Sequence, residues 1–152
     1  MHETITDSII SVLAMQADRT EKARRIADTI SRFRDYRWVG VYDGEPELVS
    51  IIAYSGPGAP AYPQFPITKR LTGSAIRDKK TVVVGDVRND SRYLTAFGNT
   101  LSEIIIPVLD EKSGAVVGTI DVESEQVNAF SDEDQKMLED CAGSVFLLWT
   151  AR

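Results

Sequence analysis

Apolar residues recur along this chain with two periods, and the switch between them marks out its architecture. Over the first 34 residues they fall at helical spacing. Ile5, Ile9, Val12 and Leu13 form one set, and Ala23, Ile26, Ala27, Ile30 and Phe33 a second. Asp18, with Glu21 three residues on, has the form of a capping box at the start of the second helix. At "RWVGVYDG" (37–44) the period becomes two. Trp38, Gly40 and Tyr42 then share one face, and Val39 and Val41 the other. "ELVSIIAYS" (47–55) continues the strand pattern after a short link, which predicts a hairpin.

"GPGAPAYPQFP" (56–66) holds four of the six prolines, so it reads as a loop with extended pieces and not as a central strand. "RLTGSAIRDKK" (70–80) predicts a short helix, and "TVVVGDV" (81–87) a short buried strand. "RNDSRYLTAFGNT" (88–100) is polar and irregular, with room for one helical turn. "SEIIIPVLD" (102–110) and "AVVGTIDVES" (115–124) read as strands joined through "EKSG". Residues 131–152 predict a closing helix with Ser131 as its N-cap and acids in its first turn. Hairpins at both ends imply a mainly antiparallel sheet, so the class is α+β. The terminal helices are expected together on one sheet face, and the middle loops and short helix on the other.

The strand "GTIDVES" (118–124) carries the chemical question. Thr119, Asp121 and Glu123 share a face, opposite Ile120 and Val122. Centring the hairpin on its turn sets Val108 against Val116 and Glu103 against Asp121. Glu103, Asp121 and Glu123 then lie on one face, and Ile104, Ile106, Val108, Ile120 and Val122 on the other. A slip of one residue would drive an acid into the apolar layer, which supports this register. Apposed like charges cost a few tenths of a kcal/mol to about 1 kcal/mol, and more if shielded from water. A wet face with salt bridges is the bland solution. Otherwise the acids meet Arg77, Arg88 or Arg92 from the covering loops, an oxygen-liganded metal, or a ligand's cationic group. Trp38 and Tyr42 belong on the acidic side, where aromatics beside carboxylates suit an organic cation or zwitterion.

Composition narrows the field. At 152 residues, 43% hydrophobic, the chain suits one domain, with helices over 1–34 and the sheet core and last helix over 36–150. The net charge of −6 and scattered basic residues argue against nucleic acid. No apolar run approaches the roughly 20 residues that cross a bilayer, and the first ten residues lack the pattern of a signal peptide. A lone cysteine, Cys141, suits a reducing compartment, so a cytoplasmic protein is expected. It sits among apolar residues of the last helix and reads as a core residue. The one histidine, His2, allows no His-based triad or metal cluster.

The element order, "LTGSAIRDKKTVVVGDVRNDSRY", "SEIIIPV", "GTIDVES" and "FSDEDQKMLEDCA" resemble a GAF domain from about residue 20 to the end. Within that family the likeness is greatest to stand-alone free methionine-R-sulfoxide reductases. Their "WVGFY"-, "SEIVVP"- and "GVLDIDS"-like strands correspond to "WVGVY" (38–42), "SEIIIP" (102–107) and "GTIDVES" (118–124). The resemblance implies a small-molecule pocket on the sheet face away from the terminal helices. Trp38, Tyr42, Glu103, Asp121 and Glu123 would line it, the acids near the ligand's amino group. Glu123 stands where the family has Asp. The family's nucleophile lies in a "GVCG"-like turn, and the matching "RLTG" places Thr72 there. The other two family cysteines fall near Ala96 and Tyr62. Sulfoxide reduction needs a thiolate and a resolving thiol. The expectation is therefore a sensory domain that binds an amine or amino acid without catalysis, cofactor or metal. A module that dimerises through its terminal helices, with Trp149 at the contact, is the first alternative, and a degenerate reductase-like enzyme the second.

Overall fold

The computed structural model describes residues 4–93 and 99–150. Two helices open the chain, α1 (Ile5–Leu13) and α2 (Arg19–Arg34). Asp18 caps α2 by accepting from the Glu21 amide at 2.8 Å, but the expected capping box is only half formed, since the Glu21 carboxylate accepts from Arg24 and Arg25 instead. The hairpin β1 (Trp38–Gly44) and β2 (Leu48–Ser55) follows, then a short strand β3 (Gln64–Pro66) inside the proline-rich loop. Proline cannot donate to a ladder, and β3 lies at the sheet edge accordingly. Next come α3 (Arg70–Asp78), β4 (Val82–Val84), a 3₁₀ turn at Val87–Asn89, and the hairpin β5 (Ser102–Leu109) and β6 (Val116–Ser124). The chain closes with α4 (Asp132–Val145) and α5 (Leu147–Thr150). Ser131 and Asp134 cap α4 reciprocally.

The six strands run β3-β2-β1-β6-β5-β4, every pairing antiparallel. The α+β class expected from the pattern is the fold observed. The terminal helices bury one sheet face: Ile9, Ile26, Ile30, Leu138 and Cys141 pack with Val39, Val41, Ile104, Ile106, Ile120 and Val122. Each such aliphatic side chain contributes roughly 1.5–3 kcal/mol on burial. The opposite face holds two smaller clusters. One gathers Trp38, Tyr42, Val49, Phe65 and Ile76, and the other Leu71, Ala75, Val84, Val87 and Ile105.

The β5–β6 register differs from the expectation. Glu103 pairs with Glu123 and not with Asp121, and Val108 pairs with Gly118 while Leu109 pairs with Val116. An irregularity between Val108 and Leu109 and a longer connection account for the two-residue shift. An even shift preserves side-chain parity, so the faces remain as predicted. Trp149, placed at a subunit contact in the dimer alternative, is half-buried and makes contacts within its own chain. Its ring lies 5.3 Å from the Arg19 guanidinium, and its indole N–H donates to Asp43 at 2.7 Å.

Gly40 is required by the aromatic pair. A Cβ there would overlap the Trp38 ring and stand 2.9 Å from Tyr42 Cε1. Gly40→Ala should destabilise the protein by about 1–3 kcal/mol through displacement of those rings, measured by urea unfolding. Wild-type stability would show instead that the rings have room to move.

Candidate functional site

The acidic face is covered. Trp38, Tyr42, Glu103, Asp121 and Glu123 are all buried, and the strands align them side by side. Across β1 and β6, Trp38 lies opposite Glu123, Gly40 opposite Asp121, and Tyr42 opposite Thr119. Gly40 lets the Trp38 and Tyr42 rings close together over the strand position opposite Asp121. Trp38 donates from its indole nitrogen to the Gly58 carbonyl at 3.3 Å, which ties the proline-rich loop over the face. Phe65 meets Tyr42 edge-on at 6.0 Å. All five residues expected at one site lie buried on the same sheet face.

Hydroxyls hold two of the acids. Thr72 donates to Asp121 Oδ2 at 2.5 Å, and Thr119 donates to Oδ1 at 2.7 Å. Thr100 donates to Glu123 Oε1 at 2.8 Å, with the Tyr93 hydroxyl at 3.4 Å from the same oxygen. Glu103 Oε2 and Glu123 Oε2 are buried without a hydrogen-bond partner, as are Tyr42 Oη and Arg70 Nη1.

The positive charge on this face comes from Arg70. Sequence reasoning placed Arg77, Arg88 or Arg92 here, and the structure corrects this. Arg88 and Arg92 pair with their neighbours Asp86 and Asp90, and Arg77 donates to the Ile67 carbonyl at 2.7 Å. Arg70 is only 4% exposed, its guanidinium 4.6 Å from the centre of the Phe65 ring. Its backbone has φ of 65°, a left-handed conformation that favours glycine and costs an arginine about 1 kcal/mol or more. The other non-glycine positive-φ residues have local reasons: Asp35 and Lys79 are helix C-caps, and Asn128 tolerates the conformation. One signal could have found Arg70. It stands at the first position of the "RLTG" turn, where the reductase-like motif carries glycine, so its side chain starts at the site.

Burial sets the electrostatics. It pushes the Glu103 carboxyl well above the usual range, the Glu123 charge adds to the rise, and Arg70 opposes it. Asp121 is raised to about 6 by burial, against the Thr72 and Thr119 hydrogen bonds and Arg70. Burial also raises Glu123, again against a hydroxyl donor, Thr100, and Arg70. Burial alone would lower the Arg70 pKa, but Glu103, Tyr42, Asp121 and Glu123 outweigh it and raise it. Three carboxyls therefore share one guanidinium, and the site is short of positive charge. Among the described residues, no group of three or more His, Cys, Asp or Glu side chains is arranged to hold a metal ion.

Cys141 lies in the helix-side cluster, across the sheet from this site, with its thiol pushed up to about 12 by burial. Of the two positions matched to the other family cysteines, Tyr62 is 41% exposed, and Ala96 lies outside the described residues. An open cavity of about 760 Å³ lies elsewhere, between α4, β5 and the Lys79–Lys80 corner, and is not lined by Glu103, Asp121 or Glu123.

A family model described as "GAF domain" matches residues 16–145. The chain belongs to the GAF family. Its relatives include GAF domain-containing protein A of Dictyostelium discoideum, 27% identical over 139 residues, covering 90% of this chain and 85% of that one. Among solved structures, the type II free methionine-R-sulfoxide reductase of Thermoplasma acidophilum is 29% identical with a TM-score of 0.77, over 86% of this chain and 94% of that one. The free methionine-R-sulfoxide reductase of Neisseria meningitidis, in complex with its substrate, is 25% identical with a TM-score of 0.86, over 97% and 87%. These likenesses overturn the expectation of a domain without catalysis. That expectation rested on missing cysteines, whereas the GAF proteins similar to this chain over most of its length include reductases.

Glu103→Gln keeps the shape and removes a carboxyl that burial disfavours. It should stabilise the GAF domain at pH 7 by about 1–2 kcal/mol, seen as a melting point a few degrees higher. The gain should vanish near pH 4, where the folded wild type keeps its proton and the unfolded chain regains it. For the same reason wild-type stability should fall as pH rises from about 4 through about 6, as Asp121 loses its proton. A pH-independent gain for Glu103→Gln, or none, would show that the cluster is not short of positive charge.

Proposed function

We propose that this protein is a free methionine-R-sulfoxide reductase-like GAF protein whose acid-lined site takes a small cationic or zwitterionic compound, a free amino acid first among them. One observation carries the reading. Glu103 and Glu123 face each other across the β5–β6 ladder, each buried, and each has a carboxylate oxygen without a partner. A buried like-charge pair of this kind is unstable alone, and an ammonium group is the complement in charge and hydrogen bonding. Trp38 and Tyr42 supply apolar walls for the ligand's side chain. The comparisons support an amino acid because the reductases on this scaffold are described by free methionine sulfoxide.

Reduction of a sulfoxide consumes two electrons and two protons and releases water. The single thiol of this chain stands behind the sheet, so the electrons would come from an added dithiol, which closes to its own disulfide. The chain's contribution is binding, orientation and protons. Asp121 and Glu103, raised by burial, hold protons nearer neutrality than ordinary carboxyls do.

Isothermal titration with L-methionine-R-sulfoxide should show saturable binding at pH 7. Glu103→Gln and Asp121→Asn should each weaken it about tenfold or more. Binding unchanged by both substitutions sinks the reading. With dithiothreitol present, methionine formation should depend on Glu103 and be indifferent to Cys141→Ala. A rate lost with Cys141 would instead place the chemistry on the helix side of the sheet.

A further inference from the structure

Resting on that reading, the buried atoms without partners say more about the ligand than its charge. They fall into two kinds. Glu103 Oε2 and Glu123 Oε2 are acceptors, while Arg70 Nη1 and Tyr42 Oη are donors. Arg70 and Tyr42 belong together, since the Arg70 charge acts directly on the Tyr42 hydroxyl. A buried arginine that served only to neutralise the acids would close on one of them through its planar fork. Arg70 does not: among the described residues it makes no ion pair within 4.0 Å with Glu103, Asp121 or Glu123. It lies over Phe65 instead, with one nitrogen unused, and it is kept there despite a left-handed backbone.

We infer that Arg70, with the Tyr42 hydroxyl, is the specificity-determining pair that binds the carboxylate of a free α-amino acid, while Glu103 and Glu123 hold its ammonium group. One end of the ligand then satisfies both unused donors and the other end both unused acceptors. The site distinguishes free amino acids from amines, which lack the acceptor end, and from residues within peptides, which lack one charge or both. A guanidinium suits this task because its fork matches the two oxygens of a carboxylate.

The test compares three probes by titration calorimetry on the full chain at pH 7: L-methionine sulfoxide, its carboxamide, and the analogue lacking the amino group. The wild type should bind the amino acid at least about tenfold more tightly than the carboxamide. Arg70→Met should erase that preference by weakening the amino acid alone, and Tyr42→Phe should narrow it. Glu103→Gln should leave the preference for carboxylate in place. If the wild type binds the carboxamide as tightly as the amino acid, the role of Arg70 is overturned and the ammonium site stands. If the wild type binds none of the three, both fall. Should Arg70→Met fail to fold by circular dichroism, the wild-type pair and Tyr42→Phe still decide.

Discussion

Three carboxyl groups buried around one guanidinium are the constraint on which this structure turns. Glu103, Asp121 and Glu123 occupy neighbouring strand positions, and the β5–β6 ladder sets two of them face to face. Desolvation and mutual repulsion both oppose their charge. The surrounding elements answer that problem. Thr72 from α3, Thr119 from β6 and Thr100 from the segment before β5 donate hydroxyls, and Arg70 contributes its charge through space. Even so, four buried polar atoms of this site stay without partners. A sheet face tuned only for stability would carry apolar residues here, as the opposite face does.

The strain at Arg70 belongs to the same account. Left-handed backbone at the start of a helix suits glycine, and an arginine there costs stability. Its guanidinium lies against the Phe65 ring and acts on the acids through space, while Thr72, two residues on, donates to Asp121. The helix layer behind the sheet supplies the rigidity this requires. Caps at both terminal helices and a continuous aliphatic layer hold β1, β5 and β6 in place, so strand positions become fixed positions in the site.

The likeness to reductases and the placement of the thiol pull in different directions. The scaffold is that of the reductases, which the chain matches over most of its length. Its only cysteine is a core residue with a thiol that burial keeps protonated. Thr72, at the position matched to the nucleophile, is a hydrogen-bond donor to Asp121. The three buried acids and the one thiol of this chain therefore stand on opposite faces of the sheet.

Much of this was legible in the sequence, because local periodicity is a local property. Alternation in "WVGVY", "SEIIIPV" and "GTIDVES" determined which side chains face the helices, and so placed Trp38, Tyr42, Glu103, Asp121 and Glu123 together. Parity survives a two-residue slip, which is why the faces were right while Glu103 was matched to the wrong partner. Tertiary structure alone decided the rest. Which arginine meets the acids depends on where α3 lands on the sheet, and nearness along the chain pointed to Arg77, Arg88 and Arg92 instead. Whether the acids are solvated or buried is likewise set by the β3 loop and α3 closing over them. That closure depends on contacts between segments far apart in sequence, such as Thr72 with Asp121 and Trp38 with the Gly58 carbonyl, and no local pattern encodes them.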